Sequence, residues 1–290
     1  MTMGAMIKAT EVPSGPPTMV GSLFFRGQKL VWDNDKGLFD ARAARALLRR
    51  EEDVAKACGL PRVIDVIGDT AEALRRHLEF VAENCDDLMM LDSADRSARI
   101  QVVRQLKGSP LADRLIYNSI DERVSREELD VVQDSGLRRA VVLALGSTVI
   151  RPSERLKLLT GGADDSQGGL IARLQSRGVD DVWVDAGVLD LPSIGWSALT
   201  LARAREMFRV RVGCAPCNAV YLWIRDRRPP PKVLAAVTAA AFSLPLAWGA
   251  DFVFYGSPAN APWVYPAVQE LQGMLAYAAR EAARERDQRG

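Results

Sequence analysis

Eight short apolar runs, separated by helical patterns, constrain this fold more than any other feature of the chain. They are MVGSLFF (19–25), RVIDVI (62–67), DLMMLD (87–92), RLIYNS (114–119), RAVVLAL (139–145), DVWVDA (181–186), RVRVG (209–213) and DFVFYG (251–256). Continuous apolar runs bounded by turn residues are what strands buried on both faces look like. The stretches between them read as helices. FDARAARALLRREEDVAKACG (39–59) opens on Asp40 as cap and closes at Gly59, and DTAEALRRHLEFVAENC (69–85) has Asp69 or Thr70 as cap. Ser125, with Glu128 three residues on, forms a capping box for a helix that ends at Gly136. Alternation at this spacing means parallel strands joined by crossover helices, and eight units favour a closed barrel over an open sheet. The expected fold is α/β, a single-domain (β/α)8 TIM barrel over 19–290 behind an N-terminal extension, 1–18.

Composition removes several classes of function. The length of 290 residues suits one barrel, which takes roughly 250. A net charge of +1 gives no basic field for nucleic acid. No apolar run approaches the ~20 residues of a membrane span, and MTMGAMIKATEVPSGPP lacks a signal-peptide pattern, so a cytoplasmic protein is expected. No glycine-rich nucleotide fingerprint follows a strand. His77 is the sole histidine and falls mid-helix, which rules out a Ser-His-Asp triad and reads as a partly exposed helix residue. Cys214-Ala-Pro-Cys217 has redox or zinc spacing, yet no second ligand pair exists, so no metal site is expected and the spacing reads as coincidence. GGADDSQGG (161–169) reads as a helix stop followed by the next helix start. DRRPPPK (226–232) reads as a surface connection, and the apolar 233–250 behind it as a helix buried against the barrel or a second copy of the chain. A last helix, from Val268 onward, turns charged toward its end.

Polar residues at strand ends carry the functional reading. Asp92, Asn118 and Asp185 each close an apolar run, and Asn218 follows the seventh in what reads as a loop. In a barrel such positions crowd one mouth, where active sites of this fold are built. Asp65 lies within its run, ahead of Gly68, and is read either as a mouth residue or as structural; Ser93 directly follows Asp92. A bland reading of strand-end acids is capping of the next helix. Two Asp and two Asn, without nucleophile or metal cage, suit a flat nitrogen-rich heterocycle read edge-on, such as a pterin.

PPTMVGSLFFRGQKLVWDNDKGLFD, VIDVIGDTAEALRRHLEFVAE, LMMLDSADRSARI, LADRLIYNSI and VVLAL, in that order, resemble the MtrH family of tetrahydromethanopterin S-methyltransferase components. Its bacterial relatives include methylcobamide:tetrahydrofolate methyltransferases. The resemblance covers most of the chain and is strongest in the first half. It implies a pterin-binding barrel that moves a methyl group between a corrinoid, carried by a partner protein, and N5 of tetrahydrofolate or tetrahydromethanopterin. It further implies that Asp92, Asp185 and Asn118 grip the pterin, that Asn218 lies near N5, and that the protein forms a homodimer. Two departures fall at the mouth: Ala215-Pro216-Cys217 stands where a Gly-His-Asn-like segment is expected, and DAGVLDLPSIGW replaces a threonine- and glycine-rich loop. Two alternatives remain at this point. One is a dihydropteroate synthase-like condensing enzyme, for which GCAPCN lacks the usual lysine. The other is a scaffold component without catalysis.

Overall fold

A computed structural model describes residues 15–161 and 168–288. The eight runs form eight parallel strands: β1 (Thr18–Leu23), β2 (Arg62–Ile67), β3 (Met89–Asp92), β4 (Leu115–Ile120), β5 (Arg139–Leu143), β6 (Asp181–Asp185), β7 (Arg211–Cys214) and β8 (Phe252–Gly256). Each pairs with its sequence neighbour, and β1 pairs with both β2 and β8, so the sheet closes on itself. The expected (β/α)8 barrel is what the chain forms.

The side-chain alternation of a strand explains why its two faces differ. Outward residues such as Met19, Ile64, Leu91, Leu115, Val142 and Val184 belong to the main core beneath the surrounding helices. Inward residues Val20, Val63, Met90, Ile116, Val141, Trp183, Phe252 and Phe254 make a separate apolar plug inside the barrel. Trp183 and Phe252 meet there with ring centroids 4.9 Å apart.

Helix α1 (Ala41–Cys58) starts where the Asp40 carboxylate accepts from Ala43 N and stops at Gly59, as expected. For α2 (Ala71–Asn84) the cap is Thr70, while Asp69 instead takes Arg26 at 2.6 Å. Ser125 caps α4 (Arg126–Ser135), but Glu128 does not close a capping box; its buried carboxylate binds Arg99, Arg96 and Tyr117. Helix α5 (Pro152–Thr160) ends before Gly161 and α6 (Leu170–Gln175) begins after Gly169, so the glycines flank a helix stop and start; positions 162–167 lie outside the described residues, as do positions 1–14 of the extension.

Several expectations are corrected. His77 is buried: its ring stacks on Phe24 at 4.1 Å, and Nδ1 lies 2.7 Å from Ile67 O. A small antiparallel hairpin, Val31–Asp33 with Leu38–Phe39, follows β1; its strands are too short for a periodic signal. Helix α7 (Ile194–Phe208) precedes β7, and α8 (Pro216–Arg227) begins right after that strand, so Asn218 sits in a helix rather than a loop. Pro216 at the first helical position favours that start. Helix α9 (Pro231–Ala247) buries Thr238, Ala241, Phe242 and Leu246 but leaves Val233 and Leu244 exposed. The last helix, α10 (Ala261–Asp287), begins seven residues ahead of Val268 and carries Pro266 inside it. None of the helices among the described residues is long and apolar enough to cross a membrane.

Candidate functional site

Five inward polar residues sit one pleat above the apolar plug. Each lies two positions after a plug residue on the same strand: Ser22 after Val20, Asp65 after Val63, Asp92 after Met90, Asn118 after Ile116, and Asp185 after Trp183. Period-two alternation therefore turns five separate strand sequences into one polar ring over an apolar floor. Register completes the ring: Ser22 pairs with Asp65, and Asp92 with Asn118. All lie toward the carboxyl ends of their strands, the end where barrels build sites.

Hydrogen bonds knit one side of the ring. Ser22 Oγ donates to Asp65 Oδ2 at 2.7 Å, and Asn118 Nδ2 donates to Asp65 Oδ1 at 3.3 Å. The carboxyls of Asp65 and Asp92 are hydrogen-bonded to each other. Burial pushes Asp65 up to about 6, opposed by the Ser22 and Asn118 donors. Burial, and then the neighbouring Asp65 charge, hold Asp92 well above the usual carboxylate range. The shared proton accordingly rests on Asp92, since two close carboxylates cannot both ionise cheaply. Across the ring, burial raises Asp185 to about 6, countered by Gly187 N–H at 2.7 Å from Oδ1 and by the charge of Arg155. None of the three acids forms a salt bridge among the described residues.

Asn218 stands beside the ring, in the first turn of α8, and is exposed. Its Oδ1 accepts from the Cys217 thiol at 3.6 Å. Asn218, Cys217 and Ser22 line a cavity of about 480 Å³ walled by apolar groups including Phe25, Tyr221, Phe242 and Trp263. Burial pushes Cys217 up to about 12 and Cys214 well above the ordinary thiol range, so both stay protonated at neutral pH.

Of the residues expected at the site, Asp65, Asp92, Asn118 and Asp185 are brought together and Asn218 borders them. Ser93 is not: its hydroxyl accepts from Asp95 N at 3.1 Å, and its carbonyl accepts from Arg99. Sequence reasoning missed Ser22, whose signal is a polar residue at an inward position of an otherwise apolar run. It also missed Arg155, which shares a helix face with Leu159, four residues on.

This architecture defines a class, the closed parallel barrel with a polar mouth that solved dihydropteroate synthases share. The enzyme from Yersinia pestis superposes with a TM-score of 0.59 at 12% identity, over 91% of this chain and 94% of its own. That of Coxiella burnetii, solved in complex with pteroic acid, gives 0.61 at 13%, over 92% and 94%. Within that class the chain belongs to one family, described as the tetrahydromethanopterin S-methyltransferase MtrH subunit, which matches residues 4–286. The H subunit of that methyltransferase from Methanopyrus kandleri is 28% identical over 274 residues, spanning 90% of this chain and 85% of the relative. Its counterpart from Methanocaldococcus jannaschii is 27% identical over 279 residues, spanning 92% and 88%.

Proposed function

We propose that this protein transfers a methyl group at N5 of a tetrahydropterin, tetrahydrofolate or tetrahydromethanopterin, with a corrinoid protein as the partner that donates or accepts it. The observation that carries this reading is the polar ring: three buried acids and an amide above an apolar floor, with no salt bridge to the acids among the described residues. Their spare acceptor capacity matches the row of N–H groups on one edge of a pterin, and the floor matches its flat face. Asp185, ionised above about pH 6, accepts pterin N–H groups. Asn118 supplies an amide beside it, and Asp92, holding its proton, donates to a ring acceptor. Binding of this kind fixes the ring so that its N5 meets the incoming methyl carrier in line. The corrinoid, when its carrier docks, supplies a cobalt centre able to exchange methyl with N5. Asn218 then donates to or accepts from N5 as its basicity changes, without a strong general acid. Family membership supports the methyl-transfer reading over a condensing enzyme, and Ala215-Pro216-Cys217-Asn218 offers no lysine after β7. We place a homodimer contact on the exposed apolar face of α9, around Val233 and Leu244, which light scattering of the Leu244→Lys variant checks.

Calorimetric titration with tetrahydrofolate and with tetrahydromethanopterin tests the reading. Binding of either one that Asp185→Ala abolishes supports it. Absence of binding to both removes the pterin reading while leaving the barrel untouched.

A further inference from the structure

Arg155, on α5, has no solvent contact and forms no salt bridge among the described residues. Its Nη1 donates to Ala186 O at 2.8 Å, to Gly187 O at 3.2 Å and to Ser197 Oγ at 3.3 Å. Ser197 Oγ in turn donates to Gly187 O. The remaining guanidinium groups, Nε and Nη2, are buried without a hydrogen-bond partner. A guanidinium taken from water without a carboxylate in contact destabilises the fold, so cohesion alone does not account for it.

The loop that Arg155 grips is the one that aims Asp185. Gly187 N–H donates to Asp185 Oδ1 at 2.7 Å, and Gly187 holds φ at +69°, where an added Cβ would lie 2.4 Å from Leu145 Cβ. With the carbonyls of residues 186 and 187 clamped from below, the direction of that N–H is fixed, and with it the carboxylate. The titratable and charged groups facing Asp185 are Asp65 on β2, Asp92 on β3, Arg155 on α5, and the thiols of Cys214 on β7 and Cys217 on α8. Arg155 alone among them is a cation.

We infer that Arg155 is the positioning residue for Asp185: it anchors the loop whose N–H aims the carboxylate and supplies the positive charge that faces it. The inference rests on Asp185 being the carboxylate that takes the pterin. Burial and the neighbouring acids favour a protonated, neutral Asp185; Arg155 opposes them, and a neutral carboxyl has one acceptor fewer to offer. The charge and the clamp are separable. Arg155→Met removes both, Ser197→Ala loosens only the clamp, and Arg155→Lys keeps the charge while losing the fork.

The experiment is tetrahydrofolate or tetrahydromethanopterin binding by calorimetry from roughly pH 5 to roughly pH 9, beside a carbon-13 carboxyl titration of Asp185 in the ligand-free protein. For the wild type, affinity is expected to be level above neutrality and to fall as pH drops through about 6. Arg155→Met should move that limb upward by about one pH unit, with Arg155→Lys restoring part of the shift. Ser197→Ala should weaken binding several-fold with the limb unmoved. A limb unmoved in Arg155→Met, with binding merely weaker at every pH, overturns the inference. If wild type binds neither pterin, the functional reading fails, yet the carboxyl titration still decides this one: an Asp185 midpoint equal in wild type and in Arg155→Met, or in Arg155→Lys should Met not fold, sinks it.

Discussion

Glu51 and Asp65 both lie out of reach of solvent, one on α1 against the outer wall of the barrel and the other inside it. Around Glu51 every direction is occupied. Oε1 accepts from the hydroxyls of Tyr255 and Tyr265, and Oε2 pairs with Arg62 Nη1 at 3.5 Å. Arg62 is held in turn by Leu48 O at 2.8 Å and by Asp87 at 2.5 Å. Even Gly21 belongs to this cluster, because a Cβ there would lie 2.5 Å from Glu51 Oε1 and 2.7 Å from the Tyr255 hydroxyl. Asp65, by contrast, meets only Ser22, Asn118 and another acid, and its neighbourhood opens toward a cavity. Burial raises both acids, so a raised carboxyl does not by itself mark a site. What separates them is the company: a cation and hydroxyls that use up the acceptors of Glu51, against a ring whose acceptors remain for a ligand.

The contrast breaks most visibly at Arg62. Arg62→Ala leaves Glu51 and Asp87 without their shared cation, and a loss of about 3–5 kcal/mol in unfolding free energy is expected. Urea denaturation measures it, while pterin affinity of whatever folded protein remains should hold within about twofold. An equal fall in pterin affinity would mean that the wall network and the ring are one system. Asn218→Ala makes the opposite cut. Turnover should fall by roughly 100-fold with pterin affinity little changed, because the amide acts where N5 changes charge rather than where the ring is held. Steady-state kinetics with kcat intact would remove Asn218 from the chemistry.

Much of this division is legible in the chain alone. Asp92, Asn118 and Asp185 stand out because each ends an apolar run, and a polar residue there has no partner in the strand itself. Ser22 is hidden, since one small hydroxyl within MVGSLFF hardly disturbs the apolar pattern. His77 misleads because Arg76 before it suggests a solvated face, whereas the Phe24 ring comes from a strand end over fifty residues away. Asn218 reads as loop as long as Pro216 is treated as a breaker, and as helix once Pro216 is the first helical residue. Long-range partners decide such cases, and spacing along one segment does not contain them. The Glu51 network is the extreme instance, joining α1 to residues more than 200 positions on.

Proton linkage sharpens the contrast further. The folded state raises Asp65 from 3.8 to about 6, so its contribution to stability is fully present below about pH 4 and is lost as pH rises through 6. Asp65→Asn removes that loss while keeping a group that Ser22, Asn118 and Asp92 can bond. A gain of about 2 kcal/mol at pH 8 is expected, with none near pH 4, and pterin binding should weaken. Thermal unfolding at the two pH values checks the first part. A variant less stable at pH 8 would show that the ring is structural after all.

Glu51 gives the smallest effect and the finest distinction. Burial raises it from 4.5 to about 7, with the Tyr255 hydroxyl and the Arg62 charge opposing. Its contribution is therefore complete below 4.5 and is lost as pH rises through 7, the same sign as for Asp65 but one unit later. Glu51→Gln keeps the shape and an acceptor for both tyrosines, so no change is expected at about pH 4. At about pH 8 two effects compete: the variant escapes the desolvation of a buried charge, but Arg62 loses one of its anions. The net gain should be about 1 kcal/mol, smaller than at Asp65, where no cation is lost. Pterin affinity should not move at either pH, since the tyrosines and Arg62 face the wall and not the mouth. A Glu51→Gln variant that binds pterin more weakly would link wall and ring through β8, whose Tyr255 grips Glu51 and whose next residue, Gly256, lines the cavity.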